Sequence, residues 1–242
     1  MPKKTDSNKR QSILVDTLFS HPMGAVEGFT FDSSVAAVFP DMIQRSVPGY
    51  STVVGISGVL AQRFSQPATR LYDLGCSLGA TSFSMAQSAA AGCELIAVDN
   101  STAMLDQLST ILSQQTLPTA ITLVNDDINA ILINNASVVA LNYTLQFIPV
   151  EQRASLLSKI QQGMAPGGVL LLSEKIQFND PSVNDLFVDL HHDFKRANGY
   201  SELEISQKRE AIENILVPES LPIHRQRLIA VSYTHLTLPT NR

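Results

Sequence analysis

Tryptophan is absent from the 242 residues of this chain, and only two cysteines, Cys76 and Cys93, are present. Two cysteines cannot build the disulfide framework of a small secreted domain, and their spacing fits no zinc-binding motif. No apolar run approaches the roughly 20 residues that a membrane-spanning helix needs, and residues 1–10 are basic without a following apolar signal region. We therefore expect a cytoplasmic protein without membrane spans.

Charged residues are also sparse, at 16% of the chain, and acids outnumber bases to give a formal net charge of −5. A negative protein repels a nucleic-acid backbone, so the charge disfavours direct, tight binding of RNA or DNA. The basic residues Lys3, Lys4, Lys9 and Arg10 could form a nucleic-acid arm, but a solvated terminus is the more common role of such a cluster. The remaining composition, with 44% hydrophobic residues, is typical of one folded α/β domain.

Apolar runs alternate with segments of helical periodicity from about residue 70 to residue 174. This alternation is typical of βαβ units, so we predict an α/β fold with a mostly parallel sheet and helices on both faces. The predicted strands are 70–74, 94–98, 121–124, 137–142 and 168–173. The predicted helices are 31–39, 51–64, 81–91, 101–113, 150–164, 183–197 and 201–216, with a loop at 44–50.

A glycine-bearing turn follows the first predicted strand, in residues 71–79 with the sequence LYDLGCSLG. Gly75 and Gly79 allow a backbone with positive φ and the close approach of a ligand at the carboxyl end of a parallel strand. The turn lacks the Gly-Lys-Ser/Thr of triphosphate-binding loops, and Ser77 interrupts the glycine pattern of dinucleotide-binding loops. Ligands with a pyrophosphate group are therefore disfavoured.

The next three strands also end in polar residues. Asp99 ends the second strand, where a carboxylate can accept hydrogen bonds from both ribose hydroxyls, and Asp127 follows the third strand, where it can meet an adenine amine. Asn142 ends the fourth strand at the floor of the cleft. Taken alone, Asp99 could cap a helix and Asp127 could be a turn residue. Their shared position at strand ends predicts a site for S-adenosylmethionine.

These features resemble the class I S-adenosylmethionine-dependent methyltransferases, which have a Rossmann-like sheet. Residues 39–50 (FPDMIQRSVPGY) and 191–209 (HHDFKRANGYSELEISQKR) resemble a narrower family, the bacterial carboxy-S-adenosyl-L-methionine synthases of tRNA wobble-uridine modification. With 73–79, 142–147 and 171–175, this resemblance extends from about Asp16 to Leu228. Residues 229–242 look like a foreign, non-native tail, so we expect the final strands of the family's sheet to be missing.

The resemblance implies an enzyme that converts S-adenosyl-L-methionine and prephenate to carboxy-S-adenosyl-L-methionine, phenylpyruvate and water, without a metal. The product would be the donor for 5-oxyacetyl modification of wobble uridine in tRNA, without direct binding of tRNA to this chain. The implied organisation is an N-terminal tail (1–15) and one domain (16–228) with a helical cap and a helical dimer insertion at about 180–216. A methyltransferase acting on a small molecule or tRNA, and a cofactor-binding protein without catalysis, are the alternatives.

Two candidate catalytic residues follow from the same resemblance. Tyr50 would approach the sulfonium end of the ligand, and Arg209 would reach in from the neighbouring subunit of a homodimer to pair with the transferred carboxylate. From the residues alone, a solvated helix arginine beside Glu210 is the more common role for Arg209, and only the resemblance reverses that interpretation. The implied ligand contacts are Gly75, Cys76 and Ser77 on the amino-acid and sulfonium portion, Asp99 and Asn100 on ribose, Asp127 and Ile128 on adenine, and Asn142 at the pocket floor.

Two other chemistries are disfavoured by the residues themselves. His191 and His192 are adjacent, and neighbouring side chains on a helix diverge by about 100°, so we expect a helix surface or an interface rather than a metal site. Cys76 lies in the cofactor loop without a base motif, so we interpret it as a small residue that allows close backbone approach rather than as a nucleophile.

Overall fold

The computed structural model describes residues 14–24, 26 and 28–233. Within these ranges the strands form one parallel sheet in the order β3-β2-β1-β4-β5. The strands are β1 (Arg70–Leu74), β2 (Glu94–Asp99), β3 (Ala120–Asn125), β4 (Ala136–Asn142) and β5 (Met164–Ser173). The predicted α/β class with a parallel sheet is confirmed. The basic cluster at Lys3 to Arg10 lies outside the described residues.

Helices connect the strands and cover both faces of the sheet. They are α1 (Ser33–Ser46), α2 (Tyr50–Phe64), α3 (Ala80–Ser88), α4 (Thr102–Leu112), α5 (Val150–Gly163), α6 (Pro181–Ala197), α7 (Glu202–Ile212) and α8 (Leu221–Ala230). A 3₁₀ turn, Leu145–Phe147, follows β4. Among the described residues, no helix is both long enough and apolar enough to cross a membrane.

The core lies on the two faces of the central strands, because successive side chains of a strand point to opposite faces. Leu71 and Leu95 pack on one face with Met85 of α3, whereas Tyr72 and Leu74 pack on the other face with the α5 side chains. Each fully buried leucine contributes about 1.5–3 kcal/mol through removal of apolar surface from water. The sheet is therefore a rigid platform, and the carboxyl ends of its strands are fixed relative to one another.

A third apolar cluster places α1 and α7 over the carboxyl ends of the strands. Phe39 and Met42 of α1 pack with Met104 of α4, Ala211 of α7 and Leu78 of the turn after β1. Asp32 caps α1 because its side chain accepts hydrogen bonds from the N–H groups of Ser34 and Val35. These helices therefore cover the space above the carboxyl ends of the strands.

The structure corrects several predicted boundaries. Residues 44–46 belong to α1 instead of a loop, because the turn needs only Val47 to Gly49, where Gly49 adopts a positive φ of 74°. Helices α3 and α7 end three and four residues earlier than predicted, at Ser88 and Ile212. Strand β5 begins at Met164, which pairs with Ala136 of β4. A bulge then shifts the register, so that the next pair is Val169 with Val138. Helix α8 was not predicted.

Strand β5 is an edge strand of the described sheet, as expected if the family's final strands are missing. The segment before α8 is held to α5 by Arg153, which is fully buried and pairs with Glu219. Arg227 of α8 pairs with the same carboxylate. Of the expected foreign tail, residues 229 and 230 complete α8, residues 231–233 form a turn after it with Val231 packed on the core, and residues 234–242 lie outside the described residues.

Candidate active site

A cavity of about 250 Å³ lies above the carboxyl ends of the strands, between the sheet and the helices α1, α2 and α7. Its walls include residues from β2 and β4, from the turn after β1 and from the loop after β3. The structure brings together nine of the ten predicted site residues along this cavity: Tyr50, Gly75, Cys76, Ser77, Asp99, Asn100, Asp127, Ile128 and Asn142. Arg209, the tenth, does not line the cavity of its own chain.

The turn after β1 requires glycine at its first position. Gly75 has a φ of 80°, and a Cβ atom there would lie 2.4 Å from Oγ1 of Thr144. The N–H groups of Gly75 and Cys76 both donate to the carbonyl oxygen of Val98, at 2.8 and 3.0 Å. The backbone therefore passes close to the cavity in a conformation that a larger residue would disturb.

Asp99 links this turn to the helix after β2. Its Oδ2 accepts from the N–H of Ser77 at 2.9 Å, and its Oδ1 accepts from the N–H of Ser101 at 2.9 Å. Burial raises the pKa of Asp99, and the two N–H bonds oppose that rise. Because each carboxylate oxygen has two lone pairs, Asp99 keeps acceptor capacity toward the cavity that suits ribose hydroxyls.

Asn142 carries a buried acceptor that has no partner among the described residues. Its Nδ2 donates to Oγ of Ser57 at 3.1 Å and to Oγ1 of Thr81 at 3.0 Å, which fixes the amide in place. Its Oδ1 is buried without a hydrogen bond within the same described part of the chain. Leaving such a group unpaired costs about 1–3 kcal/mol, so a ligand that donates an N–H, such as an amino acid's ammonium group, fits this position.

Asp127, in the loop after β3, is a turn residue that also lines the cavity. Its Oδ1 accepts from the N–H of Asn129 at 2.8 Å and from Nδ2 of the same residue at 3.1 Å, which makes it a turn residue. It also lines the cavity, next to the buried side chain of Ile128. The loop therefore offers a carboxylate edge and an apolar surface, which are the contacts that an adenine ring needs.

Tyr50 and Cys76 are held in their protonated forms. Burial, followed by the charge of Asp73, raises the pKa of Tyr50 to about 12, so its phenol can donate a hydrogen bond but cannot act as a base near neutral pH. The ring of Tyr50 lies 6.2 Å from that of Tyr143, centroid to centroid. Burial also raises the pKa of the Cys76 thiol, which agrees with its interpretation as a small loop residue.

The structure adds an aromatic wall that was not predicted from the sequence. The ring of Phe31 lies edge-to-face with the rings of Phe29 and Phe147, with centroid distances of 5.1 and 5.5 Å. The ring of Phe39 is the fourth member of the wall, with its centroid 6.4 Å from that of Phe31. All four line the cavity. Phe39 and Phe147 lie in the segments 39–50 and 142–147 that carried the resemblance, but no spacing rule links the four residues.

Two buried acids near the cavity were also missed. Asp73 accepts from Oγ of Ser82 at 2.5 Å, and burial raises the pKa of Asp73 to about 7. Glu174 accepts from the N–H groups of Leu145 at 2.8 Å and Gln146 at 3.1 Å, and burial raises the pKa of Glu174 to about 8. Glu174 thereby holds the 3₁₀ turn, whose residues form part of the cavity wall.

Of the two adjacent histidines on α6, His191 has a structural contact. His191 places Nε2 2.8 Å from the carbonyl oxygen of Ser46, so that nitrogen carries the proton. Within the residues that the structure describes, no group of three or more His, Cys, Asp or Glu side chains could hold a metal ion.

Comparisons with known proteins place this site in a family. A methyltransferase domain model matches residues 71–168. The carboxy-S-adenosyl-L-methionine synthase of Vibrio cholerae is 53% identical over 220 residues, which cover 90% of this chain and 89% of that protein. The synthase of an Enterobacter species is 52% identical over 224 residues, covering 92% and 91%. This chain belongs to the carboxy-S-adenosyl-L-methionine synthase family.

Solved structures agree with the family at the level of the fold. A putative O-methyltransferase from Nostoc punctiforme has a TM-score of 0.60 and 15% identity, over 87% of this chain and 57% of that one. A cyclopropane synthase from Mycobacterium tuberculosis has a TM-score of 0.59 and 13% identity, over 77% and 61%. This member of the synthase family therefore shares its sheet and helical layers with enzymes of different names.

The cation that faces the cavity of this synthase-family chain is Lys208. Its Nζ lies 3.0 Å from Oγ of Ser46 and 3.4 Å from Oδ2 of Asp16, and its side chain is 9% exposed. The next residue, Arg209, has a side chain that is 61% exposed, with Glu213 at 4.0 Å. The segment 191–209 contains both cations, but sequence reasoning singled out only Arg209.

Proposed function

We propose that this chain converts S-adenosyl-L-methionine and prephenate to carboxy-S-adenosyl-L-methionine, phenylpyruvate and water. The observation that carries the proposal is the cavity itself, which joins a nucleoside site at the strand ends to an aromatic wall and to the buried cation of Lys208. A sulfonium is itself a cation, so a simple methyl-transfer pocket gains nothing from a second buried cation beside it. Lys208, which lines the cavity and also pairs with Asp16, would attract an anionic co-substrate.

The walls of the cavity fit the parts of S-adenosylmethionine in order. We infer that Asp99 and Asn100, which line the cavity, bind the ribose hydroxyls, and that Asp127 and Ile128 contact adenine. We also infer that the buried, unpartnered Oδ1 of Asn142 accepts a hydrogen bond from the ammonium group of the amino-acid portion. We infer that Tyr50, protonated at its phenol, donates a hydrogen bond near the reacting end of the ligand.

The proposed reaction balances in atoms and charge. Prephenate loses carbon dioxide and hydroxide and becomes phenylpyruvate, while the methyl carbon of the sulfonium loses a proton and bonds to that carbon dioxide. The hydroxide and the proton combine to form water. This route needs no protein base, because the leaving hydroxide can take the proton within a closed site.

We further propose a homodimer in which Arg209 enters the cavity of the neighbouring subunit and pairs with the new carboxylate. Its exposed side chain in a single chain supports this role. Helix α6 supports a partner surface, because Val183, Leu186, Phe187 and Leu190 share one face and are 37–55% exposed. The product would then serve a separate cytoplasmic enzyme that modifies wobble uridine, and the net charge of −5 favours a chain that does not bind tRNA itself.

The experiment that tests the reaction is incubation of the purified chain with S-adenosylmethionine, with and without prephenate, followed by mass spectrometry. We expect a nucleoside heavier than the substrate by the mass of carbon dioxide, formed only with prephenate, and absent in an Asp99→Ala control. Demethylated nucleoside alone would establish the alternative, a methyltransferase. Binding of S-adenosylmethionine without any product would establish a non-catalytic binding protein.

The dimeric arrangement is tested by mixing two inactive variants, Arg209→Ala and Asp99→Ala, after unfolding and refolding them together. A mixed dimer has one complete site if Arg209 acts across the interface, so random pairing restores about a quarter of the wild-type activity. Arg225→Ala, an exposed arginine of α8, is the matched control and keeps full activity. No recovery in the mixture would show that Arg209 acts within its own chain.

A further inference from the structure

Tyr143, the residue after β4, has a backbone conformation that is rare for a large side chain. Its φ is 60°, in the left-handed region that glycine and asparagine favour. A bulky residue there costs free energy and persists only where the surrounding structure holds it. Because residues in strained conformations cluster at functional sites, Tyr143 is a candidate for a role that needs its ring.

Hydrogen bonds to β5 and to the 3₁₀ turn hold this conformation. The N–H of Tyr143 donates to the carbonyl oxygen of Ser173 at 2.7 Å, and its own carbonyl oxygen accepts from Nε2 of Gln146 at 3.3 Å. Gln146 is fixed in turn, because its N–H donates to Glu174 and its Oε1 accepts from the N–H of Lys175. The surrounding structure therefore determines where the ring of Tyr143 lies.

That ring lines the cavity instead of packing in the core. It is partly buried, and it belongs to none of the three apolar clusters formed by the described residues. The ring of Tyr50 also lines the cavity, and the two centroids are 6.2 Å apart with 37° between the planes. Asn142 precedes Tyr143 in the chain, and a Cβ at Gly75 would meet Thr144, which follows it. The two rings therefore lie beside residues assigned above to the amino-acid and sulfonium portion of the ligand.

The two rings, which we call the tyrosine pair, can bind a cation. The face of an aromatic ring attracts positive charge within about 6 Å of its centroid, and more strongly where water is excluded. Because the centroids are 6.2 Å apart, one cation can lie within that distance of both. The acids near the rings also suit a cation: burial and the charge of Asp73 raise the pKa of Tyr50 to about 12, and burial and the charge of Glu174 raise the pKa of Tyr143.

We propose that Tyr143 is a specificity-determining residue, which together with Tyr50 selects a nucleoside with a sulfonium cation over the neutral thioether. This inference rests on the proposed function, in which both the substrate S-adenosyl-L-methionine and the product carboxy-S-adenosyl-L-methionine keep the sulfonium. A methyltransferase, by contrast, converts the sulfonium to a neutral thioether in each cycle. A pair of rings that holds the cation suits a reaction in which the sulfur stays charged from substrate to product.

The test measures the Kd of S-adenosylmethionine and of S-adenosylhomocysteine, its demethylated thioether, by calorimetry with the full chain. We expect the wild type to bind the sulfonium about tenfold more tightly than the thioether, which corresponds to about 1.4 kcal/mol. Tyr143→Phe keeps the ring and is expected to keep this preference within about twofold. Tyr143→Leu removes the ring, and we expect the preference to fall about fivefold, through weaker binding of the sulfonium alone.

Ala68 provides the matched control for the backbone conformation. Its φ is 61°, close to that of Tyr143, but it lies before β1 and does not line the cavity. Tyr143→Gly and Ala68→Gly both relieve the strain, so we expect neither to lower the thermal midpoint by more than about 4 °C. Only Tyr143→Gly is expected to lose the preference for the sulfonium. That combination of a stable fold and a lost preference shows that the ring serves the ligand.

Equal affinity of the wild type for both nucleosides would overturn the proposal, and so would an unchanged preference in Tyr143→Leu and Tyr143→Gly. Equal losses for both nucleosides would also overturn it, since they mark a ring that only shapes the cavity.

The outcome for the proposed reaction is separate, because these binding measurements require no turnover. If the wild type forms no carboxylated nucleoside but the preference still depends on Tyr143, the reaction is wrong and the role of the ring stands. If the reaction occurs and the preference does not depend on Tyr143, the role of the ring is wrong. Binding of neither nucleoside would overturn both.

Discussion

The two sides of the cavity are built by different physical means. The strand side, formed by the turn at Gly75 and by Asp99 and Asn142, is held by hydrogen bonds from these strand ends to backbone groups and to side chains of adjacent elements. The helical side is formed by buried charged and phenolic side chains from three distant segments. There Tyr200 donates to Asp16 at 2.5 Å, and Lys208 lies against both groups.

As a result, the position of a ligand and the charge beside it depend on different parts of the cavity. The strand side fixes where a ligand lies, because its atoms belong to a rigid sheet. The helical side sets the charge beside the cavity, because it buries the ammonium of Lys208 together with the carboxylate of Asp16. The helical side is therefore expected to respond more strongly to a loss of charge, and the strand side to a loss of space. Three predictions test this distinction.

The largest effect is expected from Asp16→Asn on the helical side. The variant leaves the buried ammonium of Lys208 without its carboxylate, and such a loss costs about 3–5 kcal/mol of unfolding free energy. Urea denaturation measures it, and Asp126→Asn, at an exposed loop residue, is the control. A double variant, Asp16→Asn with Lys208→Met, is expected to recover much of the loss. Equal stability of Asp16→Asn and the wild type would show that the ion pair contributes nothing.

The next effect is expected from Gly75→Ala on the strand side. The new Cβ would lie 2.4 Å from Oγ1 of Thr144, at a φ of 80° that disfavours every residue with a side chain. We expect a loss of about 2–3 kcal/mol in stability and at least about a tenfold loss in affinity for S-adenosylmethionine. Gly55→Ala, in the interior of α2 with nothing within 4 Å of the new Cβ, is the control: it leaves the affinity intact and does not lower the stability, because alanine is favoured over glycine in a helix interior by about 1 kcal/mol. Normal affinity in Gly75→Ala would show that the turn tolerates a side chain.

The smallest effect for a single step of the measurement, one pH unit, concerns Glu174, whose folded pKa of about 8 lies above the ordinary value of 4.5 because of burial. Its stabilising contribution is complete below about pH 4.5, where the carboxyl is protonated in both states, and is lost as the pH rises to about 8. The unfolding free energy of the wild type should therefore fall relative to Glu174→Gln over that range, by at most about 1.4 kcal/mol per pH unit. Parallel profiles for the two proteins would show that Glu174 has an ordinary pKa.

The strand side could be predicted from the sequence because most of the residues that form it are close together in the chain. A strand, a glycine turn and an acid at the next strand end follow one another within 71–99, and nine of the ten predicted residues line one cavity. The helical side has no comparable signal, since Asp16 and Lys208 are 192 residues apart in the chain. Only the tertiary fold brings them together. Arg209 was singled out by resemblance, whereas Lys208, its neighbour, was not recognised.

The errors in the predicted loop and helices also have physical causes. The loop predicted at 44–50 was too long because the Pro48-Gly49 pair makes the turn alone, which leaves α1 helical through Ser46. Helix α8 lies beyond the predicted helical segments, and its position depends on the buried pairing of Arg153 and Arg227 with Glu219. Both ends of that pairing are polar residues, which a pattern of apolar periodicity does not detect.

The bond from Tyr200 to Asp16 closes a loop of 184 residues, and this has a consequence for the order of folding. The entropic cost of loop closure grows with loop length, so contacts within 70–125 can form early, whereas the Asp16 contacts wait for nearly the whole chain. During synthesis, the strand side of the cavity can be structured before residues near 200 have been made. The helical side is completed last, because it joins Asp16 to Tyr200 and Lys208.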